Sequence, residues 1–341
     1  MAERKRIIWA DAVKGLLIVL VVLGHSIQAS MMKLGLNCLD DYLWNLIYSF
    51  HMPAFIAVSG FLVYHKNVVG GGRFSWLAFS WRRFRQLIIP YLLWSIVLYF
   101  INHNVDYIYD YVLYPQKSLW FLWALFFISI IFNGVEHLAS KINIMHEVLM
   151  GMCWIILVGI MFAMSDAKLF GVEYVCYYFL YYMIGYYTHK YAKYFLTRNN
   201  LLLVVLGLTW FALGSIYSTQ GLPKQLQFVP AVSSAILYFS YRICTAIIAV
   251  FFLFGIAVKL FNKCNGLVNV MVKLGTVSLG IYAVHMVTRY KLVIVLVTQF
   301  PTIGYWKLML VTFLLLVPST YMIVWLLNLN KYTARLLLGK I

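Results

Sequence analysis

Charged residues are scarce in this sequence, and acidic residues are the scarcest of all. Asp and Glu number 10 against 27 Lys and Arg, and the four types together make up only 11% of 341 residues. Hydrophobic residues account for 64% and aromatic residues for 18%. So little polar surface cannot cover a soluble globule of this size, and the chain is therefore expected to fold in lipid. Its long apolar runs, unlike the short alternating segments of a β-barrel, predict an all-α protein.

The sequence also lacks a cysteine pattern, an internal repeat and a long polar segment. Its five cysteines occur without CxxC spacing; they are Cys38, Cys153, Cys176, Cys244 and Cys264. Neither a disulfide framework nor a metal site is expected from such scattered positions. No stretch between the apolar runs is long enough for a second domain. We therefore expect residues 1–341 to form one integral membrane domain.

Apolar runs of about 20 residues predict ten membrane-spanning helices. They lie near residues 7–30, 44–64, 86–102, 118–135, 148–165, 172–188, 201–218, 233–257, 275–296 and 306–328. An even number of spans places both termini on the same side. The first span is too long for the apolar core of a cleaved signal peptide and is expected to remain as a helix.

The distribution of basic residues favours both termini in the cytoplasm. With that orientation, 18 of the 27 Lys and Arg lie on the cytoplasmic side, seven lie outside, among them Arg289 and Lys291, and Lys14 and Arg242 lie within spans. Lys and Arg accumulate in short cytoplasmic loops. The net charge of +17 therefore reflects topology and contact with anionic membrane lipid, and no nucleic-acid partner is expected.

Three ionisable residues share one face of the first predicted helix. At 100° per residue, Lys14 and His25 are about 20° apart, and Asp11 lies within about 60° of both. The rise between Lys14 and His25 is roughly 16 Å, which covers much of a bilayer. Individually, Asp11 could be a first-turn acid, Lys14 a residue that reaches the interface, and His25 a partner of a neighbouring helix. Together they indicate a functional polar path, which we call the polar stripe.

The second predicted span begins with SFHMPAFIAVSG and runs from outside to inside. His51 is therefore expected at nearly the same depth as His25, where a second imidazole would help to activate a hydroxyl. Pro53 and the pair Ser59 and Gly60 favour a bend or a close approach of another group to the backbone. For Ser59 and Gly60, tight packing of helices through small residues is the preferred interpretation.

A basic segment rich in aromatic residues follows the glycine turn Gly70–Gly72. It contains Arg82, Arg83 and Arg85 and is expected at the cytoplasmic interface. Arginine binds phosphate through paired hydrogen bonds, so this segment could receive a phosphorylated cofactor. An interfacial helix that binds only lipid explains the composition equally well.

Three further features are weaker. The aromatic segments Leu119–Leu125 and Glu173–Tyr187 are interpreted mainly as belts at the membrane interface. Arg242 lies inside the eighth predicted span, where a charge needs a partner that the sequence does not name. Near the end of the chain, helical spacing places Ser278, Tyr282 and His285 on roughly one face.

Together these segments resemble the acyltransferase-3 family of bacterial membrane acyltransferases. The resemblance extends over most of the chain. It depends on a basic residue separated by ten residues from the histidine of the first helix (Lys14 and His25), on HMPAFIAVSG, on the RxxR formed by Arg82 and Arg85, and on SLGIYAVH. The opening DAVKG is most similar to fucose 4-O-acetylase-like members.

The resemblance implies a bundle of about ten spans in the bacterial inner membrane. Such proteins transfer an acyl group, commonly acetyl, from cytosolic acyl-CoA to a hydroxyl of a surface glycan or lipid-linked sugar toward the outer face. It implies that His25 is catalytic and that Lys14, Arg82 and Arg85 serve the donor, supported at the entrance by Asp11. The family often has Arg at the position of Lys14, and Lys keeps the charge without the planar fork.

Two other classes of function fit parts of the pattern. A transporter or flippase of a polar or anionic solute would also use a polar path across the membrane. The missing repeats and the RxxR weigh against it. A sensor with a degenerate site is the third possibility. The acyl group, the acceptor sugar, the partner that orients His25 and the oligomeric state cannot be read from the sequence.

Overall fold

The protein is helical throughout the described part of the chain. The computed structural model describes residues 7–66, 75–102, 106–142, 144–164, 166–196, 199–227, 231–261 and 265–340, and these ranges contain no β-strand. The helices are α1 (Ile8–Lys33), α2 (Tyr42–Tyr48), α3 (His51–Tyr64), α4 (Trp76–Arg83), α5 (Ile89–Asn102), α6 (Asp110–Leu113), α7 (Trp120–Ile142), α8 (His146–Ala163), α9 (Val172–Lys190), α10 (Ala192–Phe195), α11 (Asn200–Ser215), α12 (Ala231–Leu260), α13 (Gly266–Thr276), α14 (Ser278–Gln299), α15 (Tyr305–Leu329) and α16 (Lys331–Leu338). Cys264 and the predicted turn Gly70–Gly72 lie outside the described ranges.

Eight helical segments of the described chain are long and apolar enough to cross a membrane. They are Ile8–Lys33, Tyr42–Tyr64, Trp76–Ile101, Trp120–Ile142, His146–Ala163, Ala235–Leu260, Ser278–Gln299 and Tyr305–Leu329. The predicted helical membrane bundle is therefore confirmed. The predicted spans 172–188 and 201–218 coincide with α9 and α11. The first of these helices is less apolar than the eight segments above, and the second is shorter than they are. The total of ten spans and the cytoplasmic termini stay predictions.

At two places the helices are arranged differently from the sequence prediction. The third span begins earlier, because a five-residue π-helical turn at Phe84–Ile88 joins α4 to α5 and makes Trp76–Ile101 one apolar segment. The ninth span begins at Ser278 and is preceded by a separate apolar helix, α13, which the sequence analysis missed. With 11 residues, α13 is too short to register as a span.

The chain divides into two compact units. The first contains Met1–Val58 and Tyr191–Tyr321, and the second contains Ser59–Lys190 and Met322–Ile341. These units are compact substructures, and they do not test whether residues 1–341 form one membrane domain. That stays a prediction.

In the first unit, α1 and α13 cross at two glycines. A Cβ on Gly15 would lie 1.8 Å from the carbonyl oxygen of Met271, and a Cβ on Gly275 would lie 1.9 Å from that of Asp11. No other residue fits at either position without separating the helices, because the opposing atoms are backbone. Small residues at such crossings are the usual means by which membrane helices approach closely. The crossing fixes the position of the segment of α1 that carries Asp11 and Lys14.

The boundary between α2 and α3 has a clear local cause. Pro53 lacks the N–H that would donate to the carbonyl of Ser49, so the helix is interrupted at Ser49 and Phe50 and begins again at His51. At the start of α2, Asp41 accepts a hydrogen bond from the backbone N–H of Trp44 at 2.8 Å and another from the Tyr305 hydroxyl at 2.8 Å. These two hydrogen bonds fix the N-terminal end of α2, the helix that carries Tyr48.

The core of the second unit is aromatic. Tyr181 and Tyr182 of α9 are fully buried, and Phe132 of α7 packs against Tyr182 with ring centres 5.1 Å apart. The interpretation of Glu173–Tyr187 as an interfacial belt is therefore wrong for these tyrosines. Their hydroxyls and rings fill protein interior, which explains why the segment has such low apolarity for a membrane helix.

Candidate active site

The part of the polar stripe nearer the start of α1 is an ion pair. Asp11 is 7% exposed, and its Oδ1 lies 2.7 Å from Nζ of Lys14, one turn further along α1. A buried carboxylate is tolerated when a cation accompanies it in this way. Of the described residues, Asp11 is the only hydrogen-bonding or ionic partner of Lys14. The pair lies beside the α1 and α13 crossing.

Further along α1, His25 belongs to a cluster of aromatic and imidazole rings. Its ring centre lies 5.1 Å from that of His285 on α14 and 6.4 Å from that of Tyr48 on α2. The Tyr48 ring in turn lies 4.7 Å from the His51 ring. Tyr48 thus packs against both His25 and His51, and His285 is the imidazole adjacent to His25. The sequence had suggested only His51 for that place.

Hydrogen bonds to the backbone fix the orientation of two of these imidazoles. Nδ1 of His51 lies 2.7 Å from the carbonyl oxygen of Ile47, and Nδ1 of His285 lies 3.0 Å from that of Ile281. A carbonyl oxygen only accepts hydrogen bonds, so in each neutral ring the proton belongs on Nδ1 and Nε2 has a lone pair. Nε2 of the fully buried His285 has no hydrogen-bond partner within the described ranges.

His25 differs, because its Nδ1 faces two side chains. One is Gln28, whose Oε1 is 3.0 Å away, and the other is Arg289, whose Nη1 is in close contact with the same nitrogen. Arg289 is 6% exposed and also donates from Nη2 to the Tyr290 hydroxyl at 3.1 Å. Its Nε has no hydrogen-bond partner in the described part of the chain.

Arg289 and Gln28 are the main residues that the sequence analysis missed. The sequence prediction counts Arg289 only among the basic residues on the outer side, and the structure shows it buried on the face of α14 that carries His285, four residues earlier. Gln28 is three residues after His25 on α1. Helical spacing from the two histidines was the available signal, but only the tertiary structure shows that the two faces meet.

The predicted donor-binding arginines belong to the second unit. Arg82 and Arg83 lie with their guanidinium carbons 5.6 and 5.4 Å from the centre of the Phe79 ring, and Arg85 is 5.8 Å from that of Trp81. Arg85 is exposed, and the other two are half-buried. Because the π-helical turn begins directly after Arg83, these side chains lie at the only described irregularity of this long helix. Such turns often mark functional sites.

Gly60 has a structural role in the second unit. A Cβ at this position would lie 2.1 Å from the backbone oxygen of Tyr182, so α3 and α9 touch here through their backbones. The neighbouring Ser59 is half-buried. The geometry agrees with the preferred interpretation of close helix packing.

Two other predicted residues lie in the first unit. The Nε of Arg242 donates to the Tyr217 hydroxyl at 3.2 Å, and its guanidinium carbon lies 5.4 Å from the centre of the Tyr238 ring. Tyr282 is buried one turn before His285, with ring centres 5.7 Å apart. Tyr282 therefore borders the histidine cluster. The partner of Arg242, which the sequence did not name, is the hydroxyl of Tyr217.

Comparison with known proteins identifies the family. Residues 7–329 match the acyltransferase-3 family, described as an acyltransferase domain. Nodulation protein NolL of Mesorhizobium japonicum is 30% identical over 155 residues, covering 39% of this chain and 37% of that protein. NolL of Sinorhizobium fredii is 33% identical over 122 residues, covering 33% of this chain and 32% of that protein. The alignments thus span about a third of either relative, and no solved structure matches. The match of nearly the whole chain shows that this protein belongs to the acyltransferase-3 family of membrane acyltransferases.

Proposed function

We propose that this protein is an O-acetyltransferase of the bacterial cytoplasmic membrane. It transfers the acetyl group of cytosolic acetyl-CoA to a hydroxyl of a surface glycan or lipid-linked sugar toward the outer face. The observation that carries the proposal is that the half-buried His25 lies against a buried imidazole and buried or half-buried hydrogen-bonding side chains. Ionisable groups inside membrane proteins are costly and are retained mainly at functional sites.

His25 acts as the general base. Its Nε2 accepts the proton of the acceptor hydroxyl while the hydroxyl oxygen attacks the carbonyl carbon of the thioester. The tetrahedral intermediate collapses with cleavage of the C–S bond, and the proton passes from His25 to the leaving sulfur. The products are the acetyl ester and free CoA. Transient acetylation of the imidazole is the mechanistic alternative to this direct transfer.

Gln28 is the orienting partner in this mechanism. When Nε2 is the base, Nδ1 has the proton and donates it to Oε1 of Gln28, which lies 3.0 Å away. An amide oxygen thereby takes the place that a carboxylate occupies in many catalytic triads. Tyr48 and His51 line the adjacent side of the cluster and give the acceptor hydroxyl a polar environment.

The acyl donor is proposed to bind through basic side chains. Arg82 and Arg85 supply guanidinium groups for the phosphates of CoA, because Arg pairs with phosphate oxygens in a bidentate manner. Lys14 supplies a further cation on the first helix, held in place by its ion pair with Asp11. This assignment follows the resemblance of the RxxR and of the Lys14 and His25 spacing to the family.

The direct test uses purified protein in lipid nanodiscs. Acetyl-CoA labelled in the acetyl group is supplied together with a lipid extract of the source membrane as acceptor, and labelled ester is measured. His25→Gln is expected to lower kcat by about 10²- to 10⁴-fold, the usual contribution of a general base. Lys291→Gln is the control, since this exposed cation lies on α14 beyond the cluster. Undiminished transfer by His25→Gln would contradict the assignment of the base.

A cellular experiment separates acylation from transport. Surface glycans of wild-type and His25→Gln strains are compared by mass spectrometry for the mass of one acetyl group. Loss of the acetyl group with normal glycan export supports the enzyme. Loss of export itself would instead identify a transporter or flippase and would refute the proposed activity.

A further inference from the structure

Arg289 is a buried cation without a carboxylate partner in the described part of the chain. It is 6% exposed, its Nε has no hydrogen-bond partner, and its remaining contacts are neutral: the imidazole of His25, the amide of Gln28 and the Tyr290 hydroxyl and ring. An unpaired guanidinium inside a membrane protein is strongly destabilising. Such a group is retained where an anion, permanent or transient, must be bound.

The contacts of His25 Nδ1 cannot all be satisfied at the same time. A guanidinium has only N–H donors, so contact with Arg289 requires a lone pair on Nδ1 and places the imidazole proton on Nε2. Donation to Oε1 of Gln28 requires the opposite, with the proton on Nδ1 and the lone pair on Nε2. Only the second arrangement provides a base at Nε2. It becomes available when Arg289 turns toward another acceptor.

We infer that Arg289 is a second catalytic residue, which donates a hydrogen bond to the carbonyl oxygen of the acyl donor and stabilises the oxyanion of the tetrahedral intermediate. This inference rests on the proposed acetyl transfer at His25. In this structure Arg289 contacts Nδ1 of His25, and the carbonyl of a bound thioester would draw it away. The same movement releases Nδ1 for Gln28 and makes Nε2 the base.

The electron and proton balance of the step is complete. As the acceptor oxygen forms its bond to the carbonyl carbon, the C=O π electrons move to the oxygen that Arg289 binds, and the hydroxyl proton moves to Nε2 of His25. The oxyanion then re-forms the carbonyl, the C–S bond breaks, and the proton is transferred to sulfur. Arg289 keeps its protons throughout. Its positive charge is complementary to the negative charge of the oxyanion, which exists only while the intermediate does. Arg289 therefore stabilises the transition state more than the bound substrate.

The test compares Arg289→Gln, Arg289→Lys and Arg289→Ala with Lys291→Gln, a matched removal of an exposed cation from the same helix. Transfer of labelled acetyl from acetyl-CoA is measured as kcat and KM for the donor. Arg289→Gln is expected to lower kcat by about 10²- to 10³-fold, as removal of an oxyanion donor does elsewhere, with a change in donor KM of less than about threefold. Arg289→Lys is expected to retain an intermediate kcat.

Chemical rescue distinguishes catalysis from folding. Millimolar guanidinium or methylguanidinium is expected to raise kcat of Arg289→Ala at least tenfold and to leave Lys291→Gln unchanged. A kcat of Arg289→Gln within threefold of wild type would overturn the inference. An effect on KM alone would also overturn it, because it would indicate that Arg289 binds an anionic part of a substrate. If the wild-type protein transfers acetyl and His25→Gln does not, while the Arg289 variants do, only this inference fails. If the wild type transfers none, the proposed function fails.

Discussion

Replacing Gly275 by alanine should separate α1 from α13 and destabilise the first unit. The added Cβ would lie 1.9 Å from the carbonyl oxygen of Asp11 and 3.0 Å from the backbone nitrogen of Gly15. Ordinary contact begins at 3.4 Å, so the helices must move apart by roughly 1.5 Å at this point. Neither opposing atom can rotate away, because both belong to the backbone.

The expected magnitude follows from two opposing effects. Overpacking of a close-packed interior typically costs about 1–3 kcal/mol, and two backbone obstacles favour the upper end. Alanine gains at most about 1 kcal/mol over glycine from helix propensity, and less near a helix end such as this. We therefore expect Gly275→Ala to lower the free energy of unfolding by about 2 kcal/mol.

The assay is denaturant unfolding of the purified protein in detergent micelles, with Gly266→Ala as the matched control. Gly266 lies on the same helix, and a Cβ there meets nothing within 4 Å. The control should therefore unfold like wild type. Equal stability of Gly275→Ala and wild type, or equal losses in both variants, would refute the tight crossing. A secondary expectation is a higher KM for acetyl-CoA in Gly275→Ala, because the crossing holds the segment with Asp11 and Lys14.

Three further predictions concern contacts seen in the structure. Lys14→Gln should destabilise the protein by about 3 kcal/mol, and adding Asp11→Asn should recover part of that loss, because the double variant also removes the buried carboxylate that Lys14 neutralises; unfolding in a double-mutant cycle checks this. Gln28→Ala should lower kcat for acetyl transfer by up to about tenfold without changing the donor KM, which steady-state kinetics would show. Gly60→Ala should destabilise the protein by about 2 kcal/mol in the same unfolding assay, whereas Gly159→Ala, which points into open space, should not.

The sequence predicts the helices well because a long apolar run in lipid can adopt few stable structures other than a helix. Each of the ten predicted spans overlaps a helix of the structure. The prediction fails where a helix is short or its polarity is unusual. The helix α13 was missed because 11 residues cannot span a bilayer, and the tyrosines of α9 were interpreted as interfacial because their burial depends on aromatic partners on α7.

Only the features of the site that depend on the geometry of a single helix could be predicted from the sequence. The common face of Asp11, Lys14 and His25 follows from helix periodicity, and the contact between Asp11 and Lys14 is a pairing of residues three apart. The contact between His25 and Arg289 joins residues 264 positions apart. No pattern within α1 or α14 specifies that their polar faces meet, because that contact is set by how the helices pack. The sequence therefore indicated His25 and missed the cation beside it.

The three histidines of the first unit differ in how the position of the Nδ1 proton is set. His51 and His285 each donate from Nδ1 to the backbone carbonyl four residues earlier, that of Ile47 near the end of α2 and that of Ile281 on α14, and such a bond fixes one tautomer. Nδ1 of His25 faces only side chains, Gln28 and Arg289, which require opposite tautomers. A proton on Nδ1 leaves Nε2 available as a base in any of the three rings, so His25 differs from the other two because a change of partner between Arg289 and Gln28 switches its Nε2 between donor and base. In the proposed mechanism the transferred proton moves through His25, and His51 and His285 are expected to shape and polarise the site.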